Sequence, residues 1–500
     1  MLSSRRLPTT LWLILLVALA LRLLGAWHAN LTFDERARVA LAETIDLRPG
    51  HLHLVSRTVA HPPMSIYLMK LSGLAFGTGD LGLRMLHVVA GTLTVLLVFF
   101  LGRRVFSERA GLWAAALLAV DQFHAGWSRV VLTEVLMLLF ASLVLLQFLR
   151  VLESGTTRRF AVLGLLLGLA YLAKEVAILL LPVLWIYLLI TPRHRRVLRR
   201  PTWYLAQGVF LAAVAPDVIW NLVQGMESYL YRDLMFASEP FHISLKSLSL
   251  YVGELFRAWF GDPALDVEYE QGSLYTCYWP AGVLYLGAVT TAVVRRKDPA
   301  VRLLLVMFTV IFGAFFLLPG GDRFEPFWWA SMSLIPAVVC AGWALDWAAR
   351  SGRMPALAAL LLIGLLGAHY VPVALRSGEA QPRATVRQFV DDFLRRADAA
   401  LRRGNLREAE SRYVFMLNLG GPNAEAFYGL ATVAAMRGQT EKAELLLQKC
   451  LELDPDHEAA SERLRQLRAR PKGPDSRPLS PQAGPSENVP TQQTQREPTL

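Results

Sequence analysis

Charge and cysteine are what this sequence has little of. Only 18% of its 500 residues are Asp, Glu, Lys or Arg, against 54% hydrophobic, whereas a soluble globular chain carries about 25% charged residues. So few charges cannot cover a water-facing surface at this length, which excludes an ordinary soluble enzyme and a wholly disordered chain. The three cysteines, Cys277, Cys340 and Cys450, are too scattered for a disulfide framework. No His/Cys set has the spacing of a zinc site, and no Gly-rich phosphate loop of the Walker type occurs. Asp266, Glu268 and Glu270 lack the glycine and ligand spacing of a calcium loop. No cofactor is assigned on this basis: a divalent metal has no ligand set in the sequence, and a nucleotide triphosphate is not the expected fuel.

What the sequence does have is long apolar runs. About 20 residues of helix cross a bilayer, and eleven runs occur near 11–27, 81–101, 110–120, 130–149, 160–173, 176–190, 203–219, 279–294, 301–318, 328–348 and 355–373. The first follows Arg5 and Arg6 without a small-residue cleavage site, so it reads as an uncleaved anchor. Met64 to Phe76 is apolar but short, which suits a helix lying at the interface or re-entering. The expected fold class is all-α: a polytopic membrane domain of about eleven helices over 1–373, then a small helical domain.

The net charge is +11, and residues 1–373 hold 32 Lys/Arg against 23 Asp/Glu. Nineteen of those cations fall in alternate connections, from Arg5/Arg6 through Arg103/Arg104, Arg158/Arg159, Arg195/Arg196 and Arg295/Arg296 to Arg350/Arg353. By the positive-inside rule these loops face the cytoplasm, so the excess encodes topology, and nucleic acid is not an expected partner. The opposite, non-cytoplasmic side then receives the loops 28–80 and 221–278. An odd number of spans sends the chain after Pro372 to that side too.

From about 383 to 470 a helical pattern repeats with a 34-residue period: Ala397/Ala431, Gly404/Gly438 and Ala409/Ala443, with Tyr428, Leu430 and Pro455 also in place. This resembles the tetratricopeptide repeat, about two units plus a capping helix. A protein partner held through these repeats, or a stabilising appendage, would explain them equally well. Residues 471–500, rich in Pro, Ser, Gln and Gly, cannot bury a core and read as a disordered tail.

Candidate chemistry gathers at the expected non-cytoplasmic ends of the spans. Asp34-Glu35 lies just after the first run; a carboxylate there can serve as general base toward an acceptor hydroxyl, or the pair can cap and start a helix. His61-Pro62-Pro63 precedes the short apolar segment and is either a substrate contact or plain helix initiation. Arg84, Arg129 with Glu134, Lys174 with Glu175, and Arg323 sit at or near span ends. They can hold an anionic lipid phosphate, or snorkel and pair internally as Arg129–Glu134 and Lys174–Glu175. In the second outer loop Asp262, Asp266, Glu268 and Glu270 lie near Trp259, Tyr269 and Tyr275, a composition suited to sugar hydroxyls and equally to a solvated loop.

In this order and spacing the motifs "LTFDERAR", "HPP", "LGLRMLHVVAG", "WSRVVLTEVLMLLF", "GLLLGLAYLAKEVAILLLP" and "DRFEPFW" resemble the polytopic glycosyltransferases of the GT-C fold, in the protein O-mannosyltransferase and aminoarabinose-transferase branch, over about 11–373. The resemblance implies transfer of one sugar from a polyprenyl-phosphate carrier to a lipid, glycan or protein acceptor, with inversion, outside the cytoplasm of a bacterial inner membrane. Asp34, with Glu35, would be the catalytic carboxylate. Arg84, Lys174, Arg323 and His61 would bind the donor phosphate, supported by Arg129 and Glu134. The chain departs from the branch at Glu134, where mannosyltransferases show Asp, and at His61, where aminoarabinose transferases show Lys. A lipid-carrier transporter and a non-catalytic repeat scaffold are the competing readings; a transporter would place its polar groups at mid-membrane in related halves, and a scaffold has no use for Asp34.

Overall fold

The computed structural model describes residues 7–29, 31, 33–45, 62–223, 279–317, 330–375, 386–420 and 423–469. His61, Arg323, most of the second outer loop and the 471–500 tail lie outside the described residues, and Asp34 is described in its backbone only. The chain divides into Met1–Ala384 and Thr385–Leu500.

Every element of the first unit among the described residues is helical. In order they are α1 (Thr9–His28), α2 (Phe33–Thr44), α3 (Met64–Phe76), α4 (Asp80–Val105), α5 (Glu108–Val120), α6 (Gln122–Ser128), α7 (Thr133–Glu153), α8 (Thr157–Ala173), α9 (Leu180–Ile190), α10 (Pro201–Val223), α11 (Trp279–Ala292), α12 (Pro299–Leu317), α13 (Leu334–Arg350) and α14 (Arg353–Leu375). Where described, all eleven apolar runs are mainly helical, and among the described residues six helices are long and apolar enough to cross a membrane: α1, α4, α7, α10, α13 with the 3-10 turn that leads into it, and α14. Four of the others, α5, α8, α9 and α11, have 13, 17, 11 and 14 residues, fewer than the roughly 20 that cross a bilayer. The run at 176–190 opens as a 3-10 turn, Glu175–Leu179, before α9. Helix α5 is confined between a Ser107 N-cap, which accepts from the Ala110 amide at 3.1 Å, and the turn at Asp121. Its close packing depends on absent side chains. A Cβ on Gly102 of α4 would stand 2.7 Å from the Gly111 Cα, and one on Gly342 of α13 would stand 2.6 Å from the Ala114 amide nitrogen. Small residues let backbones approach where lipid gives no hydrophobic drive for helices to associate.

Helices α3 and α4 form a tight hairpin. Gly77 ends α3 at φ +93°, a conformation costly for any residue with a Cβ. Ser72 then stitches the pair, donating to the Gly82 carbonyl at 2.6 Å and accepting from the Leu86 amide at 3.1 Å.

The two ends of the bundle differ in charge. At one, Arg104 meets Glu153 at 2.5 Å, and Asp346 of α13 takes Arg350, Arg109 at 3.4 Å and the Ser107 hydroxyl at 3.1 Å. Arg295 lies over the rings of Phe106 and Trp343, which stack with centroids 5.3 Å apart. The sequence assigned these arginines to the connections of one side, and the helix ends that carry them do meet. The other end carries Glu35, Arg84, Glu134 and Lys174.

The second unit contains α15 (Val386–Arg402), α16 (Leu406–Gly420), α17 (Ala424–Met436), α18 (Thr440–Leu453) and α19 (Glu458–Ala469). The 34-residue period reappears as geometry. Gly404 and Gly438 turn the two hairpins at φ +73° and +74°, and Ala397, Ala409, Ala431 and Ala443 are buried where helices cross. Glu410 of α16 receives Arg437 at 2.6 Å and Lys442 at 3.7 Å, linking the hairpins. Burial raises the Cys450 thiol to about 11.

Candidate active site

Helix α2 would not be stable alone: twelve residues are at the margin for an isolated helix in water. It is held by its own charged side chains. Glu35 and Arg38 are three residues apart and so share a face. Both reach Val131, in the turn between α6 and α7: the Val131 amide donates to Glu35 Oε1 at 2.9 Å, and Arg38 Nη1 donates to the Val131 carbonyl at 2.9 Å. The amide and the carbonyl of one residue are thereby both engaged by one helix face.

The second grip on α2 comes from α4. Arg84 forks onto Glu35, Nε to Oε1 at 2.8 Å and Nη2 to Oε2 at 2.7 Å, with both side chains wholly buried. Such a bidentate pair fixes orientation as well as charge. Arg84 Nη1 also donates to the carbonyls of Ala26 at 2.9 Å and Ala29 at 2.5 Å. The last carbonyls of a helix have no partner within it, so Arg84 caps α1 while it holds Glu35.

This geometry separates two residues that the sequence set side by side. Glu35, with Arg84 across both oxygens and a backbone amide on one, is a holding group. Asp34 is the residue before it on the helix so held. Arg84, expected at the donor phosphate, is engaged by a carboxylate and two carbonyls.

A second buried ion pair joins α7 and α8. Lys174, directly after α8, donates to Glu134 Oε1 in the first turn of α7, and the Thr133 hydroxyl donates to Glu134 Oε2 at 3.2 Å. Glu134 thus takes its cation from forty residues along the chain, where spacing had suggested Arg129. Arg129 is buried against Gly25 of α1, whose missing Cβ would lie 2.8 Å from the Arg129 Cδ. Glu175, adjacent to Lys174, is also buried. Among the described residues no three His, Cys, Asp or Glu side chains gather as a metal site.

Three residues of this end were not singled out in the sequence. Arg38 had the signal of its spacing from Glu35. Arg22 had a stronger one, as the lone ionisable residue inside the first apolar run, a placement that by itself points to a purpose. It is wholly buried and donates to the carbonyls of Leu118 and Ala119 at 3.1 Å and to His124 Nδ1 at 2.7 Å. His124 carried no local signal.

The helical arrangement of the membrane unit has known counterparts. The model of a family described as dolichyl-phosphate-mannose-protein mannosyltransferase matches residues 60–220. Among solved structures, ArnT from Cupriavidus metallidurans in the apo state aligns at TM-score 0.52 and 20% identity, over 86% of this chain and 79% of that one. The same protein bound to undecaprenyl phosphate aligns at 0.53 and 18%, over 87% and 80%. The membrane unit has the GT-C fold. It is a membrane protein of that architecture, and the family match spans the end of the first loop through α10. Among curated proteins none matches the sequence.

Proposed function

We propose that this chain is an inverting glycosyltransferase that moves one sugar from a polyprenyl-phosphate carrier to a lipid, glycan or protein acceptor on the non-cytoplasmic side of a bacterial inner membrane. The observation that carries the reading is the clamp on α2: Glu35, next to Asp34, and Arg38, one turn on, fix its helix to the bundle, as a base that must meet a substrate at a set position requires. The GT-C fold and a structural neighbour that binds undecaprenyl phosphate support the carrier class.

In this mechanism Asp34 accepts the proton of the acceptor nucleophile as that nucleophile attacks the anomeric carbon. The carbon–oxygen bond to the carrier phosphate breaks from the opposite face, and the configuration inverts. The leaving group departs as an anion, so cations rather than a general acid stabilise the transition state. Lys174, Arg323 and His61 take that task. An ammonium has three N–H donors, so Lys174 can share a phosphate oxygen with its Glu134 contact. Arg84 acts through Glu35, and Arg129 and Glu134 support the same end.

Asp34→Asn tests the reading in membranes supplied with labelled polyprenyl-phosphate sugars. Transfer is abolished while insertion and carrier binding persist; unchanged transfer would remove Asp34 from the mechanism. The 383–470 unit is proposed as a tetratricopeptide pair that holds an acceptor or partner enzyme. Deleting 383–500 should then lower transfer to protein more than transfer to lipid acceptors, and equal retention of both would leave it no recruiting role.

A further inference from the structure

The turn that holds α2 stands on a weak element. Helix α6 has seven residues, too few to form on its own, yet it delivers Val131 to Glu35 and Arg38. Something else must fix it. Its start is fixed by Asp121, whose Oδ1 accepts the His124 amide at 2.9 Å and whose Oδ2 accepts the Tyr285 hydroxyl of α11 at 2.6 Å. Its outer turn rests on α4 at Gly91, where a Cβ would stand 2.6 Å from the Ser128 Cβ and 3.1 Å from Arg22 Nε.

Arg22 joins these pieces. Its guanidinium bonds two carbonyls of the last turn of α5, Leu118 and Ala119, and its own Ala18 carbonyl at 2.9 Å. A cation at that position satisfies orphan carbonyls and faces the negative end of the α5 dipole. The fourth bond goes to His124 Nδ1. Guanidinium only donates, so Nδ1 must be the acceptor and the ring proton sits on Nε2. One arginine on α1 therefore spans the α5–α6 corner from both sides.

We infer that Arg22 is a positioning residue for transfer: by locking the α5–α6 corner through Leu118, Ala119 and His124, it sets the place of Val131 and hence of α2, which carries Asp34. The inference rests on the proposed reaction for its kinetic readout and on the contacts alone for its structural one.

The experiment pairs kinetics with hydrogen exchange on the full chain in detergent. The variants are Arg22→Gln, His124→Leu, which leaves Arg22 in place and takes away its acceptor at 124, and His124→Asn, which restores an acceptor near the place of Nδ1. Misplacing a reacting group by about 1 Å costs up to about a hundredfold in rate. Arg22→Gln and His124→Leu are expected to lower kcat per folded molecule about tenfold with the donor KM unchanged, and to speed exchange of the Val131 amide. His124→Asn should recover most of both. A role in global packing alone would lower the folded yield and leave kcat per folded molecule and Val131 exchange as in the wild type; that result, or Leu and Asn behaving alike at 124, overturns the inference. Should Arg22→Gln fail to fold, the two His124 variants decide. Should the wild type itself transfer no sugar, the proposed function fails and the exchange measurement still decides the linkage.

Discussion

Glu35→Gln is the most informative single change in the bundle. The substitution keeps the shape and one acceptor oxygen but removes the charge that faces Arg84, leaving a guanidinium with no exposure beside a neutral amide. Of the two hydrogen bonds, the one from Arg84 Nε to Oε1 at 2.8 Å survives without the carboxylate's charge, and the one from Arg84 Nη2 to Oε2 at 2.7 Å is lost, because the amide's NH2 takes the place of the acceptor there. Breaking a buried pair from one side costs about 3–5 kcal/mol, because the remaining charge keeps its desolvation penalty. Arg84→Gln should cost a similar amount, since it also uncaps α1. The double variant should be less damaged than the sum of the two, by an interaction energy of about 1–3 kcal/mol. Thermal unfolding in detergent, read as a double-mutant cycle, measures this, with protease sensitivity of the segment around α2 as a local probe. If Glu35→Gln shifts stability by no more than about 0.5 kcal/mol, the usual range of a surface change, or if the two changes simply add, Glu35 is not held as described and its assignment away from catalysis fails with it.

Further expectations differ in kind. Lys174→Met should destabilise the contact of α7 with α8 by leaving Glu134 buried without its cation, and Lys174→Met with Glu134→Met should recover stability but not transfer; unfolding curves alongside activity separate the two. Gly91→Ala should cost about 1–3 kcal/mol by overpacking against Ser128, whereas Gly208→Ala, with nothing within 4 Å of the added carbon, should be neutral or slightly stabilising in the same melt. In the second unit the Cys450 thiol, at about 11 when folded against 9.0 for the unperturbed group, stays protonated at neutral pH. Because the unfolded thiol ionises first, this group's contribution to stability is fully present below about pH 9 and declines as pH rises toward about 11. With Cys277→Ser and Cys340→Ser in place, slow thiol labelling at pH 8 that matches the unfolding rate of α18 would bear this out, and rapid labelling would refute it.

Much of the fold was legible because it depends on local composition. The apolar runs became helices, the arginine-rich connections met at one end, and the period of 34 placed Gly404 and Gly438 at equivalent turns. The caps were less legible: the run at 110–120 gave the body and end of α5, but its start at Glu108 is set by Ser107 and its stop by Asp121, ordinary polar residues whose capping role appears only in their contacts. The site was readable as a set of charged residues and not as a wiring diagram. Asp34-Glu35 looks like one acidic unit in the sequence, and it takes Arg84 and Val131, 49 and 96 residues on from Glu35, to give Glu35 its separate part. Arg22 was the signal passed over: a charge in mid-run has few tolerable environments, and here a helix terminus supplies one.

The clamp between α2 and α4 also imposes an order on biogenesis. Glu35 leaves the ribosome 49 residues ahead of Arg84, an interval of roughly 2–10 s at about 5–20 residues per second. During that time the carboxylate lacks its Arg84 partner and must stay hydrated, lean on a nearby arginine such as Arg38, or take up a proton. The first hydrophobic helix can insert at once, but its far end acquires a lid only when the α3–α4 hairpin arrives. Maturation of this end of the molecule is thus gated by synthesis of a later segment, and a ribosome pause after α2 would lengthen the life of a half-assembled intermediate.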